Sequence, residues 1–298
     1  KCRPTYNRRD ARDNSKRDAG GRMFGMLHPL EKPVRDRRLL PGRRLALRRL
    51  NPIQEKREGN GMVILPGRRK AFSGNDSYVS TLLHLDTDVS DVSGTPKKWT
   101  NYNGTIITSQ SKFGGGSLVL SGTPENEEYI WTPGHSDFNF SGGIFSIDMW
   151  VRPTKISSGI AFYPLYQQYS TYNTYIYAFL LLTYVSKLIT QCKPFLQVKY
   201  QGDIVAEALC NSFNITTSFK HLYFGADTEH YYAAVDGDIY VTDYTTAPIN
   251  YGDSNVWIGV NNLSYPYQHY NGYLDEIRIS KGRCRWTADF TPPVKEYY

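Results

Sequence analysis

Charge and aromatic residues are segregated along this chain, and that segregation constrains its folding more than any other feature. Residues 1–70 hold 21 Lys/Arg and 7 Asp/Glu, a net +14, and their only aromatic residues are Tyr6 and Phe24. Residues 71–298 hold the other 14 Lys/Arg and 21 Asp/Glu, a net −7, with 40 of the 42 Phe, Trp and Tyr. A segment as charged and as aromatic-poor as the first cannot bury enough apolar surface to offset the entropy of ordering it. The second has the material for a core. The sequence therefore divides into a basic, Arg/Pro-rich extended arm (1–70) and an acidic body (71–298).

Several classes fall away. No stretch reaches the roughly 20 apolar residues of a membrane-spanning helix; Tyr175–Ile189 comes nearest and carries Tyr184, Ser186 and Lys187. The first 22 residues lack the apolar core of a secretory signal. Cys2, Cys192, Cys210 and Cys284 are too scattered for a disulfide framework, and no CxxC pair suggests zinc. Buried, reduced thiols are expected, with a Cys192–Cys210 bridge between neighbouring strands as the alternative.

In the arm, arginines come in pairs: Arg8-Arg9, Arg37-Arg38, Arg43-Arg44, Arg48-Arg49 and Arg68-Arg69. Pro29, Pro33, Pro41, Pro52 and Pro66 interrupt any long helix. The pentapeptide Leu-Pro-Gly-Arg-Arg occurs at Leu40–Arg44 and again at Leu65–Arg69, too few copies for a repeat architecture. Three readings stay open. The pairs Arg37, Arg38, Arg43, Arg44, Arg48, Arg49, Arg68 and Arg69 suit docking on an acidic neighbouring subunit. The same charges suit nucleic-acid phosphates. Alternatively residues 1–61 are a solvated tail or leader, with Met62 as a natural start.

The body reads as short strands separated by turn residues every 8–12 positions. Val79–Leu85, Ser117–Leu120, Glu128–Trp131 and Ile144–Val151 come first. In the last, Phe145, Ile147 and Met149 share one face, and Ser146, Asp148 and Trp150 the other. Tyr175–Thr183, Phe195–Tyr200, Asp203–Leu209, Leu222–Gly225, Tyr231–Val235, Val256–Val260 and Tyr273–Ser280 follow. Gln201-Gly202 signals a hairpin. Asp236-Gly237, between two alternating β-formers, predicts a type I′ turn. With no amphipathic helix of three turns, the body is expected to be an all-β sandwich of antiparallel strands.

Particular residues carry a resemblance. Leu82–Asp86 resembles the opening strand of laminin-G-like (concanavalin-A-like lectin/glucanase) jelly rolls, and Lys112–Leu118 is similar to their glycine-rich turn. Phe145–Arg152 is similar to their "Wvr" strand, Asp236-Gly237 to their "vDG" hairpin and Val256–Val260 to their "v-iG" strand. At His221–Gly225, Lys220 replaces the usual Trp. The ending Tyr270–Pro293, with LDEIRISKGRCRW at its centre, resembles laminin-G-like domains in tail and other virion proteins of tailed bacteriophages. The likeness runs from about residue 78 to 293. It implies a jelly-roll sandwich of two antiparallel sheets that binds glycans or proteins, often with structural calcium.

Candidate sites follow from residue type. Asp86 ends the first strand and Asp275 sits in the last; first and last strands tend to be neighbours in such sandwiches, so both acids are calcium candidates. Tyr163, Tyr166, Tyr169, Tyr172 and Tyr175 recur every three residues, and Tyr265, Tyr267, His269 and Tyr270 precede the last strand. Of these, Tyr166, Tyr169, Tyr172, Tyr265, Tyr267, His269 and Tyr270 are the carbohydrate- or partner-binding candidates, with edge packing the competing use. Glu125–Glu128 lacks the spacing of a retaining glycosidase pair, and Gly114–Gly116 reads as a sharp turn. The expected function is that of a non-enzymatic structural and recognition protein on the surface of a phage particle, a head decoration or tail/fibre component contacting other virion subunits and host glycan. The alternatives are a capsid jelly roll with a nucleic-acid-binding arm, and a secreted glycan-binding module.

Overall fold

The computed structural model describes residues 76–123, 126–140, 143–154, 162–169, 175–185, 188–200, 203–215, 217–243, 254–261 and 268–298. The arm arginines, Glu125, Tyr172, Tyr265 and Tyr267 lie outside them. The chain divides into two units, Lys1–Leu45 and Ala46–Tyr298, and everything described belongs to the second.

Among the described residues the strands are β1 (Val79–Leu83), β2 (Thr100–Tyr102), β3 (Thr105–Ile107), β4 (Ser117–Ser121), β5 (Tyr129–Thr132) and β6 (Phe145–Pro153). Next come β7 (Phe162–Tyr169), β8 (Tyr175–Val185), β9 (Leu188–Tyr200), β10 (Asp203–Leu209), β11 (Phe213–Asn214) and β12 (Lys220–Ala226). The last are β13 (His230–Val235), β14 (Asp238–Asp243), β15 (Val256–Ile258), β16 (Val260–Asn261), β17 (Gln268–His269) and β18 (Asn271–Lys281). One antiparallel sheet runs β14-β13-β12-β6-β18-β4-β3, with β1 also paired to β18. The other runs β10-β9-β8-β7-β15-β5-β2, with β11 on β9. This is the all-β sandwich expected from the alternation.

Inward-facing residues of both sheets build one core. Phe145, Ile147, Met149 and Val151 of β6 meet Leu222 and Phe224 of β12, Leu274, Ile277 and Ile279 of β18, and Ile176, Leu196 and Ile258 of the second sheet. The Asp-Gly hairpin forms as expected, with φ of +50° at Asp236 and +90° at Gly237 and Val235 paired to Asp238. Gly237 is needed twice over, because a Cβ there would lie 1.9 Å from the Phe290 carbonyl oxygen.

The other face of β6 departs from a simple in/out alternation: Ser146, Asp148 and Trp150 are buried too. The segment after β18 covers them. Trp286 stacks on Phe290 (4.0 Å between centroids) and both meet Tyr223 edge-on. Beneath lies a buried ion pair, Arg278 Nη2 to Asp148 Oδ2 at 2.9 Å and Nε to Oδ1 at 3.1 Å. The Tyr297 hydroxyl donates to the same carboxylate, and Arg278 lies 4.0 Å over the Tyr297 ring. Arg278 holds Asp148 far below the usual carboxylate range despite its complete burial. His221 Nε2 lies 3.1 Å from the Tyr297 oxygen, whose proton is committed to Asp148. That assigns the imidazole proton to Nε2 and leaves Nδ1 a buried lone pair without a partner among the described residues. Burial therefore holds His221 below its ordinary 6.5.

This fixes the sign of a pH effect. A base whose folded pKa is depressed stabilises fully above its unfolded value, and that stability is lost as pH falls, because the unfolded chain takes up the proton first. Wild type should lose stability from pH 6.5 downward more steeply than His221→Gln, by up to about 1.4 kcal/mol per pH unit. Parallel denaturation curves that keep a constant separation between pH 7 and 5 would refute the assignment.

Candidate functional site

β18 pairs with β1 on one side and β6 on the other, and β1 ends beside the middle of β18, with Leu83 opposite Ile277, which brings Asp86 and Asp275 to one rim. There the carboxylates of Asp86 and Asp275 hold a single loop. Asp86 Oδ1 accepts the N–H groups of Gly115 (2.6 Å) and Gly116 (3.0 Å). Asp275 Oδ2 accepts those of Lys112 (2.5 Å) and Phe113 (3.3 Å). The glycine run is thus a cradle: a Cβ on Gly114 would lie 2.2 Å from Asp86 Oδ1, and one on Gly116 would lie 2.4 Å from the Asp86 carbonyl oxygen.

The rim is strained and rich in carboxylate. Leu85 (φ +65°) and Glu276 (φ +50°) both occupy the left-handed region, which costs non-glycine residues of order 1–3 kcal/mol and concentrates at functional positions. Glu276 sits in a bulge where the β18–β6 register shifts between Asp275 and Arg278. It is buried, with Oε1 2.8 Å from His84 Nδ1 and Oε2 accepting the Tyr297 N–H at 3.2 Å. Asp275 Oδ1 is buried with no hydrogen-bond partner among the described residues. Burial, together with the charges of Glu276 and Asp86, pushes the Asp275 carboxyl up to about 8.

An orphaned carboxylate oxygen beside a second carboxylate fits a hard cation. Among the described residues no group of three or more His, Cys, Asp or Glu gathers as a metal cluster. A calcium ion here would therefore draw on Asp86 and Asp275 plus carbonyl or water oxygens.

Three of the seven aromatic candidates, Tyr166, His269 and Tyr270, require correction. Tyr166 is fully buried, and its hydroxyl donates to Gln168 Oε1 (3.0 Å). His269 and Tyr270 are also buried, and the Tyr270 hydroxyl donates to the Tyr273 carbonyl. These three cannot stack on a sugar at the surface. The cause is a bulge in β7: its register shifts between Pro164 and Tyr166, so Tyr163, Leu165 and Tyr166 all enter the core. Tyr169 ends β7 opposite Tyr175.

The aromatic surface lies elsewhere on the second sheet. A row of directly paired residues crosses six of its strand junctions: Thr100–Trp131–Trp257–Gln167–Tyr177–Gln197–Glu207. Trp131 and Trp257, directly paired, share a face; Trp257 and Gln167 are buried, and Trp131 reaches solvent. Ile130 and Thr132 are buried, whereas Tyr129 and Trp131 are half-buried on the opposite face. Tyr129 stacks on Tyr102 (4.9 Å, 13° between planes), and Tyr102 is 40% exposed. At the far end Gln197 Nε2 donates to Glu207 Oε1 (2.8 Å). The alternation of Glu128–Trp131 carries this signal in the sequence, more faintly than the denser tyrosine spacing.

Comparison with known proteins agrees with this architecture. A family profile described as the concanavalin A-like lectin/glucanases superfamily matches residues 124–286, over half of the chain. The chain belongs to that superfamily. No curated protein matches it in sequence. Among solved structures it is similar to the binding domain of botulinum neurotoxin serotype C1 (12% identity, TM-score 0.51, 71% of this chain and 50% of that one). It is also similar to a botulinum neurotoxin type C structure whose cell entry is described as dependent on two ganglioside molecules (12%, TM-score 0.50, 70% and 49%). Domain 4 of an extracellular GH43 arabinanase of Geobacillus stearothermophilus, solved with arabinotriose, aligns at 18% identity and TM-score 0.47, covering 68% of this chain and 92% of that domain. The chain spans about half the length of the neurotoxin structures it matches.

Proposed function

We propose that the sandwich is a non-enzymatic glycan-recognition module carried on a phage particle, and that it binds sugar through the outer face of its second sheet. The observation that carries this is the stacked, solvent-reaching Tyr102–Tyr129 pair beside Trp131. Aromatic faces take up the C–H faces of sugar rings, while the flanking Thr100 and Asn103 offer hydrogen bonds. Retaining hydrolysis needs two carboxylates about 5–5.5 Å apart; the described row across this face offers Glu207, already engaged by Gln197. That arrangement favours binding. The ganglioside-dependent toxin structure of the same fold supports a glycan ligand, and the resemblance of the ending Tyr270–Pro293 supports the phage setting.

A glycan array followed by calorimetry tests the reading. Tyr102→Ala and Trp131→Ala should each weaken the best oligosaccharide about tenfold, near 1.4 kcal/mol, with no reducing sugar released. Retained affinity in both variants, or turnover of the bound glycan, would sink it.

Calcium held by Asp86 and Asp275 belongs to the same reading, as a clamp that neutralises the rim carboxylates. At 100 times its dissociation constant it should stabilise the fold by about 2.7 kcal/mol. Asp275→Asn should abolish that gain, and EGTA should reverse it in wild type. No calcium-dependent shift in the unfolding midpoint would overturn the assignment.

The basic arm is proposed to dock on an acidic partner subunit of the particle. Its net +14 also suits packaged nucleic acid. The salt dependence of DNA or RNA binding by the whole chain separates the two, since phosphate neutralisation gives a log–log slope near −0.9 per contact. A slope steeper than about −5 would favour the capsid reading over docking.

A further inference from the structure

Beyond β18 the chain is anchored at three places. Arg285 donates to both oxygens of Asp76 (2.9 and 3.1 Å). Trp286 and Phe290 stack over the sheet, with Phe290 N–H donating to the Gly237 carbonyl. The third anchor is Tyr297, fully buried although Val294 is 82% and Tyr298 65% exposed. It packs on Val79 and Leu82 of β1, and its hydroxyl enters the Asp148–Arg278–His221 cluster.

The seat of Tyr297 is joined to the rim by two separate routes. Asp275 and Glu276 are consecutive residues of one bulge: the first grips the 112–116 loop, the second the Tyr297 N–H. Across from them, His84 holds Glu276 while Asp86, two residues on, holds the loop. The second route runs through the loop itself. Lys112 Nζ lies 4.0 Å over the Trp150 ring and Phe113 meets that ring edge-on. Trp150 packs edge-on against His221 (5.1 Å), which reaches the Tyr297 hydroxyl. Rim, loop, Trp150, His221, Tyr297 and Glu276 therefore form a closed ring of contacts.

We propose that rim and seat work as one latch, in which a divalent cation held by Asp86 and Asp275 clamps residues 291–298 onto the sheet and its removal frees them. This rests on the calcium reading above. A bound cation would hold the left-handed Leu85 and Glu276 in place, so that Glu276 keeps Oε2 on the Tyr297 N–H and the loop keeps Trp150 against His221. Without it, nothing ties the Asp86 and Asp275 side chains to each other, and both routes slacken. Coupling is reciprocal, so seating Tyr297 raises cation affinity by the factor by which the cation favours seating.

Hydrogen exchange on the full chain, in calcium chloride and in EGTA, reads the latch. The Tyr297 amide should exchange at least about tenfold more slowly with calcium, while amides of Ala233–Val235 in the distant hairpin change much less. In calorimetry, Tyr297→Ala and the milder Glu276→Gln should weaken calcium binding about tenfold, within the usual range of coupling. Unaltered calcium affinity in both variants, together with an unaltered Tyr297 amide, overturns the latch and leaves the rim site standing. Failure of calcium to bind wild type overturns both.

Discussion

The buried pair between Arg278 of β18 and Asp148 of β6 sets terms that the rest of this structure has to meet. Both side chains are fully buried, and desolvating two ions costs several kcal/mol each unless every oxygen and N–H finds a partner. The pair lies on the outer face of its sheet, where a sandwich ordinarily meets water. Enclosing it requires a further layer, supplied by Trp286, Phe290 and Tyr297. Tyr297 completes the carboxylate's hydrogen bonds, its ring lies under the guanidinium, and His221 stays neutral beside them. The folding of the closing segment is thereby tied to the ion pair, and breaking either would strand charge in a low-dielectric site.

Much of the fold was legible because sheet formation leaves a strong period-two trace. The alternation of Phe145–Val151, the Asp-Gly turn and the glycine cradle before β4 all appear where the pattern put them. What alternation could not show was a second covering layer. Asp148 and Trp150 read as a polar, outward face because periodicity reports which residues share a side, and nothing local states that a segment some 140 residues later closes over them. The pairing of first and last strands, which brings Asp86 and Asp275 to one rim, was accessible only through resemblance.

Tyr166 is lost as a surface candidate for a reason that is itself physical. A spacing of three suggests neither a helix nor a strand, so the pattern of Tyr163–Tyr175 leaves surface binding and edge packing both open. A single bulge in β7 converts that spacing into inward-facing residues, since one inserted residue reverses the in/out order beyond it. Bulges leave little mark in composition. The same limit applies at β18, where a bulge turns the consecutive acids Asp275 and Glu276 towards different partners. In a regular strand they would alternate across the sheet, and no common rim would form.

The two bulges also explain why the outer faces of the sheets differ. On the first sheet, the bulge in β18 lets Glu276 and the rim hold the closing segment down, and that face becomes interior. On the second, the bulge in β7 draws Tyr163 and Tyr166 inward, where they help fill the core between the sheets. Gln167 is left on the other side, in register with Trp257 and Trp131. Trp257 and Gln167 are themselves buried, so what that face presents is Tyr129 and Trp131 of β5, ending in the half-exposed Tyr102 stack at the sheet edge. A ligand reaching the second sheet consequently meets the rings of Tyr102, Tyr129 and Trp131 at its edge, while the charged chemistry of the first is sealed beneath Tyr297.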